Sequence, residues 1–432
     1  MIQKWILDNG VNLLLDPVDT TDTVSVGFWF LQGSRDEEAG ISQASPQSDG
    51  SRERGYSHFL EHMLFKGTET RSAFEIAKAI DRVGGVLNAF TERECTCYYA
   101  TLPREHLPLA IEILSDMVYS SVLSVEEIER EKSVVLNEIY AAMDSPEELA
   151  HEAYLSGNWG SHPLALKITG EVEDIQGITR NTLEAFYRKR YVPANLVISI
   201  AGRFESRRAF DLVAGRVQSE TGPSWKHTRK VPEKKYAWNH RPDRFKQVHI
   251  YTGTDLPLIK GLQSPLYNAL VFSNAVGESM SSRLFQEIRE KRALCYSISS
   301  YRSLYTDISL WTVYSNTTPA QVPQLIQAIN DELGRLLTDP LTHDEIEDAK
   351  SYLKGSLILA KEDMETRMKR LVRMYTITGE VLEYEESLRY IAEVSEEGVW
   401  AIAREAIQSK RFNLVAYGGS RIKGFKGYQF TF

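Results

Sequence analysis

Cysteine is scarce in this chain: Cys95, Cys97 and Cys295 are the three in 432 residues. Three cysteines do not make a disulfide framework, and Cys95 and Cys97, two apart on an expected strand, face one side where same-strand neighbours seldom bridge. That usage fits a reducing compartment, so a cytoplasmic location is expected. Long apolar runs are missing too; none approaches the roughly 20 residues that span a bilayer, and no membrane span is expected. The opening Met1 to Gly10 carries no signal or transit pattern and reads as a strand entering an Asn9-Gly10 hairpin turn. Nor is there a surplus of positive charge. The formal net charge is −9, whereas nucleic-acid binding needs concentrated Lys and Arg to replace counterions, which argues against such a partner.

What is present is concentrated in one stretch, Gly55-Tyr-Ser-His-Phe-Leu-Glu-His-Met-Leu-Phe65. Phe59, Leu60, Met63 and Leu64 supply an apolar face at helical spacing, with Ser57 as the expected local cap. On that helix His58 and His62 are four apart, so both imidazoles project from one face and can share a metal. Glu61 adjoins His62, which sets its carboxylate beside the same point. Two neutral imidazoles suit zinc, and a carboxylate that takes a proton from a water activated there makes a hydrolase. His-x-x-Glu-His is the inverse of the commoner zinc-peptidase order. The remaining histidines (His106, His151, His162, His227, His240, His249, His343) lack a liganding spacing and read as structural or surface residues.

The composition, 42% hydrophobic and 25% charged, is that of a globular protein, and 432 residues exceed one ordinary core. Strands are expected over 2–7, 11–15, 23–31, 86–91, 96–102 and 196–201, and helices over 72–83, 104–120, 124–143 and 179–190, with another beyond 206. Ser124-Val-Glu-Glu127 is a capping box opening one of the long helices. Residues 36–54, polar and aperiodic, read as a loop leading into the His-x-x-Glu-His helix. The strongest architectural signal is a repeat. Leu123 to Lys132 lines up with Leu341 to Lys350 at an offset of 341 − 123 = 218, and Leu109 to Met117 resembles Leu325 to Leu333. The expected fold is therefore α+β, with two homologous α/β-roll domains, each a mainly antiparallel sheet flanked by helices. The expected boundaries are 1–216 for a zinc-binding catalytic domain, 217–240 for a polar linker, and 241–432 for a homologous domain without a metal site.

A zinc hydrolase needs a third protein ligand and an open position. The helix after Ser124 offers Glu126, Glu127, Glu129, Glu131 and Glu138, most of them expected on a solvated face. Glu131 and Glu138, seven apart, share a face with Val134 and Val135 on its flanks, which points inward. In the repeat they map to Ala349 and Ser356, so the copy without the histidines also lacks these two carboxylates.

These residues resemble the pitrilysin-type inverzincin metallopeptidases, a family that includes insulysin and the β subunit of mitochondrial processing peptidase. The family pattern is His-x-x-Glu-His followed some 75 residues later by a liganding Glu; here Glu138 lies 138 − 62 = 76 positions after His62. The resemblance implies His58, His62 and Glu138 as ligands of one zinc per chain, Glu61 as general base, and Glu131 as the carboxylate that orients a ligand. It implies that Asn88, Ala89, Phe90 and Thr91 form an edge strand that binds substrate backbone by strand addition. It further implies that Arg289 and Tyr296 contact substrate near the scissile bond. Ala293 stands where the family has Gly, and the 36–54 loop is roughly ten residues longer than the resemblance leads one to expect. The implied activity is a zinc endopeptidase acting on peptides or unfolded segments, in a homodimer or paired with a related chain. The rival expectation is a non-catalytic subunit of the same fold.

Overall fold

The computed structural model describes residues 1–37, 53–217, 222, 229–236, 238–256, 264–408, 411–420, 422 and 430. Most of the 36–54 loop, and residues 218–221, 223–228 and 237 of the 217–240 linker, lie outside the described residues. In the first half the strands are β1 (Gln3–Ile6), β2 (Asn12–Pro17), β3 (Thr23–Phe30), β4 (Val86–Thr91), β5 (Thr96–Pro103) and β6 (Leu196–Gly202). Its helices are α1 (Tyr56–Met63), α2 (Ala73–Asp81), α3 (Leu107–Tyr119), α4 (Val125–Met143), α5 (Pro146–Trp159), α6 (Val172–Gln176), α7 (Arg180–Arg190) and α8 (Ser206–Val217). The second half contributes β7 (Trp238–Arg241), β8 (Val248–Leu256), α9 (Ser264–Ser273), β9 (Ser297–Leu304), β10 (Ser309–Thr317) and α10 (Val322–Thr338). After these come α11 (His343–Ala360), α12 (Met364–Thr378), α13 (Tyr384–Ala392), α14 (Glu396–Gln408) and β11 (Asn413–Tyr417). Among the described residues no helix is long and apolar enough to cross a membrane.

The repeat is present as topology. The first sheet runs β1-β2-β6-β3-β5-β4 and the second β7-β11-β8-β10-β9. In each, one parallel pair (β2 with β6, β7 with β11) adjoins an antiparallel run that ends on an edge strand, β4 or β9. Both sheets are flanked by helices, as an α+β reading requires.

The chain divides into two units, and neither is contiguous. Unit 1 comprises 1–141, 166–229 and 360–375; unit 2 comprises 142–165, 230–359 and 376–432. Helix α5, from the first half, thus belongs to unit 2, and most of α12, from the second half, belongs to unit 1. Their starts differ by 364 − 146 = 218, the offset of the repeat, so the exchanged helices are equivalents. Local periodicity marks a helix but does not say which sheet it covers, and the consecutive boundaries expected from sequence do not follow these units.

The exchange fits the pattern of β3, Thr-Val-Ser-Val-Gly-Phe-Trp-Phe, which is buried along both faces. Val24, Val26, Phe28 and Phe30 join the main core with α1 and α3 residues, and the alternate residues face the other side. There α12 comes so close that a Cβ at Gly27 would lie 2.4 Å from the Met368 sulfur. Arg367 on α12 forms a two-pronged ion pair with Asp16 of β2, both bonds 2.8 Å and both side chains buried. In unit 2, Tyr154 of α5 stacks on Tyr251 and lies over Gly253 of β8, where a Cβ would be 2.3 Å from its hydroxyl.

A buried pair is costly to break on one side, because the remaining charge is left unpaired. Arg367→Leu is expected to lower unfolding free energy by about 3 kcal/mol in urea titration, with Asp16→Leu/Arg367→Leu recovering most of that loss. Equal losses in the single and double variants would contradict the assignment.

Candidate metal centre

Helix α1 forms because Tyr56, Phe59, Leu60 and Met63 bury one stripe in the unit 1 core, leaving His58, Glu61 and His62 on the half-buried flank. Its N-terminus differs from the expectation. The helix starts at Tyr56, so Ser57 lies inside the first turn and does not cap it. The N-cap is Gly55, at φ +79, in the left-handed region that glycine favours. The carboxylate of Glu37 does the capping from eighteen residues upstream, accepting from the Gly55 N–H (2.9 Å) and the Ser57 N–H (2.8 Å). Burial pushes the Glu37 carboxyl up to about 8, against the pull of the Ser57 and Gly55 hydrogen bonds. No short-range sequence signal marks such a remote cap.

The His58 and His62 rings meet edge to face, their Nε2 atoms 3.3 Å apart. The Glu138 Oε2 of α4 lies 3.5 Å from the first and 3.6 Å from the second. A tetrahedral ion with bonds of the zinc–nitrogen and zinc–oxygen length would hold its ligands about 3.3–3.6 Å apart, so the three donors are spaced as zinc ligands would be. They form the one such His/Cys/Asp/Glu group among the described residues. Burial, and then the neighbouring His62, push the His58 imidazole down to about 4, leaving it neutral near pH 7 as a ligand must be.

Glu131 sets the other ring. Buried on α4, it accepts from His62 Nδ1 at 2.8 Å through Oε1, while Oε2 pairs with Lys66 Nζ at 2.6 Å. A carboxylate can only accept, so the His62 proton sits on Nδ1 and the Nε2 lone pair faces His58 and Glu138. Burial works against the Glu131 anion, but the bonds from His62 and Lys66 outweigh it and hold its pKa below the usual value. Burial likewise opposes a charged His62, yet the Glu131 bond and the charges of Glu138, Glu131 and Glu61 raise its pKa. Glu138 itself is exposed, and of the two flanking valines Val135 is buried while Val134 is exposed, so only the Glu131 end of that face points inward. Lys66, one turn beyond His62, was not singled out by sequence.

Glu61 projects toward the edge strand. Its Oε2 accepts from Thr91 Oγ1 at 2.5 Å, and burial raises its pKa, with the Thr91 bond and the His62 charge acting the other way. On β4 the side chains alternate: Leu87, Ala89 and Thr91 lie on the α1 side, and Asn88 and Phe90 on the α12 side, where Lys369 sits over Phe90 and Tyr99. The Glu92 N–H to Cys95 carbonyl bond (2.8 Å) closes the β4–β5 hairpin. Antiparallel alternation from that pair puts the backbone groups of residues 87, 89 and 91 on the open edge. The Ala89 N–H there is met by Asn88 Oδ1 at 2.8 Å.

The model of the insulinase peptidase family M16 matches residues 14–172, and that of the M16 inactive domain matches 177–353. An uncharacterized zinc protease of Bacillus subtilis, YmxG, is 34% identical over 416 residues, covering 94% of this chain and 95% of that protein. The chain belongs to peptidase family M16. Other M16 relatives are an uncharacterized zinc protease of Mycobacterium tuberculosis, 34% identical over 96% of this chain and 93% of its own, and one of Streptomyces coelicolor, 32% over 94% and 87%. In fold, the chain is similar to a protease from Helicobacter pylori (TM-score 0.85, 21% identity, 97% and 99% covered). It is also similar to a peptidase M16 inactive domain from Pseudomonas fluorescens (TM-score 0.86, 19% identity, 98% of each chain).

The remaining expected substrate contacts lie in unit 2 of this M16 chain. Arg289, on a π-helical turn, stacks its guanidinium on Phe285 (4.5 Å) beside Glu290, and Tyr296, just before edge strand β9, is 77% exposed. Between them, Ala293 has φ +50. That is a conformation an L-residue adopts at a cost, which accounts for glycine at this position in the family pattern.

Two outcomes are expected. Glu131→Gln should weaken zinc binding about tenfold to a hundredfold in chelator competition, as loss of a ligand-orienting carboxylate does. Ala293→Gly should stabilise the protein by about 1 kcal/mol by thermal or urea unfolding, since glycine relieves the positive φ.

Proposed function

We propose that the chain is a zinc endopeptidase that cleaves peptides or unfolded polypeptide segments, with one zinc held by His58, His62 and Glu138. The observation that carries the reading is the convergence of two imidazole nitrogens and one carboxylate oxygen at tetrahedral spacing, beside a second carboxylate that is not among them. The names of the zinc-protease relatives support it. A bound zinc ion would supply Lewis acidity toward water and toward a peptide carbonyl. The chain's own residues do the rest. Glu61 takes a proton from the attacking water at its carboxylate and returns it to the leaving amine, so that water is added across the C–N bond. The open edge of β4 takes the substrate backbone as an added strand, which favours extended or unfolded chains over folded ones. A substrate-contact role for Arg289 and Tyr296, and pairing with a second copy or a related chain, rest on the family resemblance; sedimentation of the purified protein decides the pairing.

The two carboxylates separate the roles experimentally. Glu61→Gln is expected to abolish peptide hydrolysis with zinc retained near one per chain, because Glu61 moves a proton and is not a ligand. Glu138→Gln is expected to lose zinc together with activity. Metal analysis beside a peptide-cleavage assay reads both, and equal zinc loss in the two variants would overturn the assignment. Full zinc occupancy without hydrolysis of any member of a mixed peptide library by the unaltered protein would favour the non-catalytic scaffold.

A further inference from the structure

We propose that Thr91 is a positioning residue for the general base, holding the Glu61 carboxylate from the strand that takes the substrate backbone; this rests on the peptidase reading above. The sequence pattern placed Thr91 among the substrate contacts, but its side chain is already engaged. Its hydroxyl donates to Glu61 Oε2 at 2.5 Å, and it is the one hydrogen-bond donor to Glu61 among the described residues. An ionised carboxylate only accepts, so the single hydroxyl proton of Thr91 is committed to it.

The effect is one of fixation. Helix α1 fixes the Cα of Glu61, but the carboxylate stands at the end of a side chain with several rotatable bonds, whose ordering costs conformational entropy. Threonine is branched at Cβ and stiff at χ1, which makes it a firm partner for so flexible an acid. Thr91 is itself secured. It ends β4 in antiparallel register with Thr96 of β5. With Oε2 held in this way, Oε1 is the oxygen left to receive the proton of the attacking water.

The position of Thr91 on the strand adds a coupling. Its backbone groups are among those on the open edge of β4, so the residue that would bond an incoming peptide through its main chain orients the base through its side chain. Register of the peptide and placement of the base therefore share one anchor. Asn88, on the opposite face, has no such link to the base; its Oδ1 meets the edge amide of Ala89 instead.

Thr91→Val keeps shape and branching and removes the hydroxyl. Its kcat for a model peptide is expected to fall about tenfold to a hundredfold, the scale of a misplaced catalytic group, with KM within about twofold. Zinc affinity, thermal midpoint and the Kd of an uncleaved peptide for the zinc-free protein should not change, and Thr91→Ser should restore kcat to within about threefold of the unaltered enzyme. A raised KM or peptide Kd with kcat intact would return Thr91 to the substrate contacts and overturn the proposal, as would a serine variant no better than valine. Infrared difference spectra against Glu61→Gln read the bond without turnover. The Glu61 carboxylate stretch should shift in Thr91→Val, and an unshifted band overturns the proposal whatever the activity. A zinc-loaded protein that cuts no peptide contradicts the peptidase reading alone and leaves the infrared result to decide on Thr91.

Discussion

The candidate centre depends on one buried carboxylate. Glu131 stands between His62 and Lys66, and its two oxygens divide the work: one takes the His62 Nδ1 proton, the other takes the ammonium. That division fixes the tautomer and ring plane of His62 and directs its second nitrogen toward His58 and Glu138. The His62 bond and the lysine together keep Glu131 ionised despite burial, since an unpaired carboxylate in that place would favour its neutral form and could no longer orient a histidine as an acceptor. His62 on α1, Lys66 just beyond its end and Glu131 on α4 thereby act as one support. The remote carboxylate of Glu37 does the same for the start of α1, holding the amides that no local side chain reaches.

Around this support the fold supplies two surfaces to α1. Its apolar stripe is pressed on the sheet core, and the flank carrying Glu61 meets the edge strand β4. An edge strand normally invites unwanted pairing. In unit 1 it stands beside the metal centre, where pairing with an extended peptide is what the proposed chemistry requires. On the far face the sheet is closed by α12, delivered from the second half of the chain. The buried Asp16–Arg367 pair and the close approach over Gly27 mark that helix as integral to unit 1.

Much of this was legible in the residues. The four-residue spacing of His58 and His62 required only helix geometry, and the 218-residue offset foretold a duplicated α+β unit before any strand order was known. The edge strand over 86–91 has the bounds read from its β-rich pattern. Glu138 was narrowed by its absence from the repeat and assigned by resemblance, because nothing local distinguishes it from four other glutamates on α4. What stayed hidden was contact between distant segments. A carboxylate eighteen residues away capping a helix, a lysine bracing Glu131, and α5 and α12 each joining the other half's sheet are choices made by tertiary packing, to which periodicity is blind. Thr91 shows the limit within a correctly read strand: alternation separates it from Asn88 and Phe90, but only the structure shows the Glu61 carboxylate on its face.

The central claim is that one zinc ion sits among two imidazoles and a carboxylate. X-ray absorption spectroscopy at the zinc edge of the zinc-loaded protein tests it most directly. The account predicts a first shell of only nitrogen and oxygen at about 2.0–2.2 Å, with the outer-shell pattern of two histidines, and loss of part of that pattern in His58→Ala. A sulfur shell at about 2.3 Å, or a spectrum without histidine that His58→Ala leaves unchanged, would contradict it.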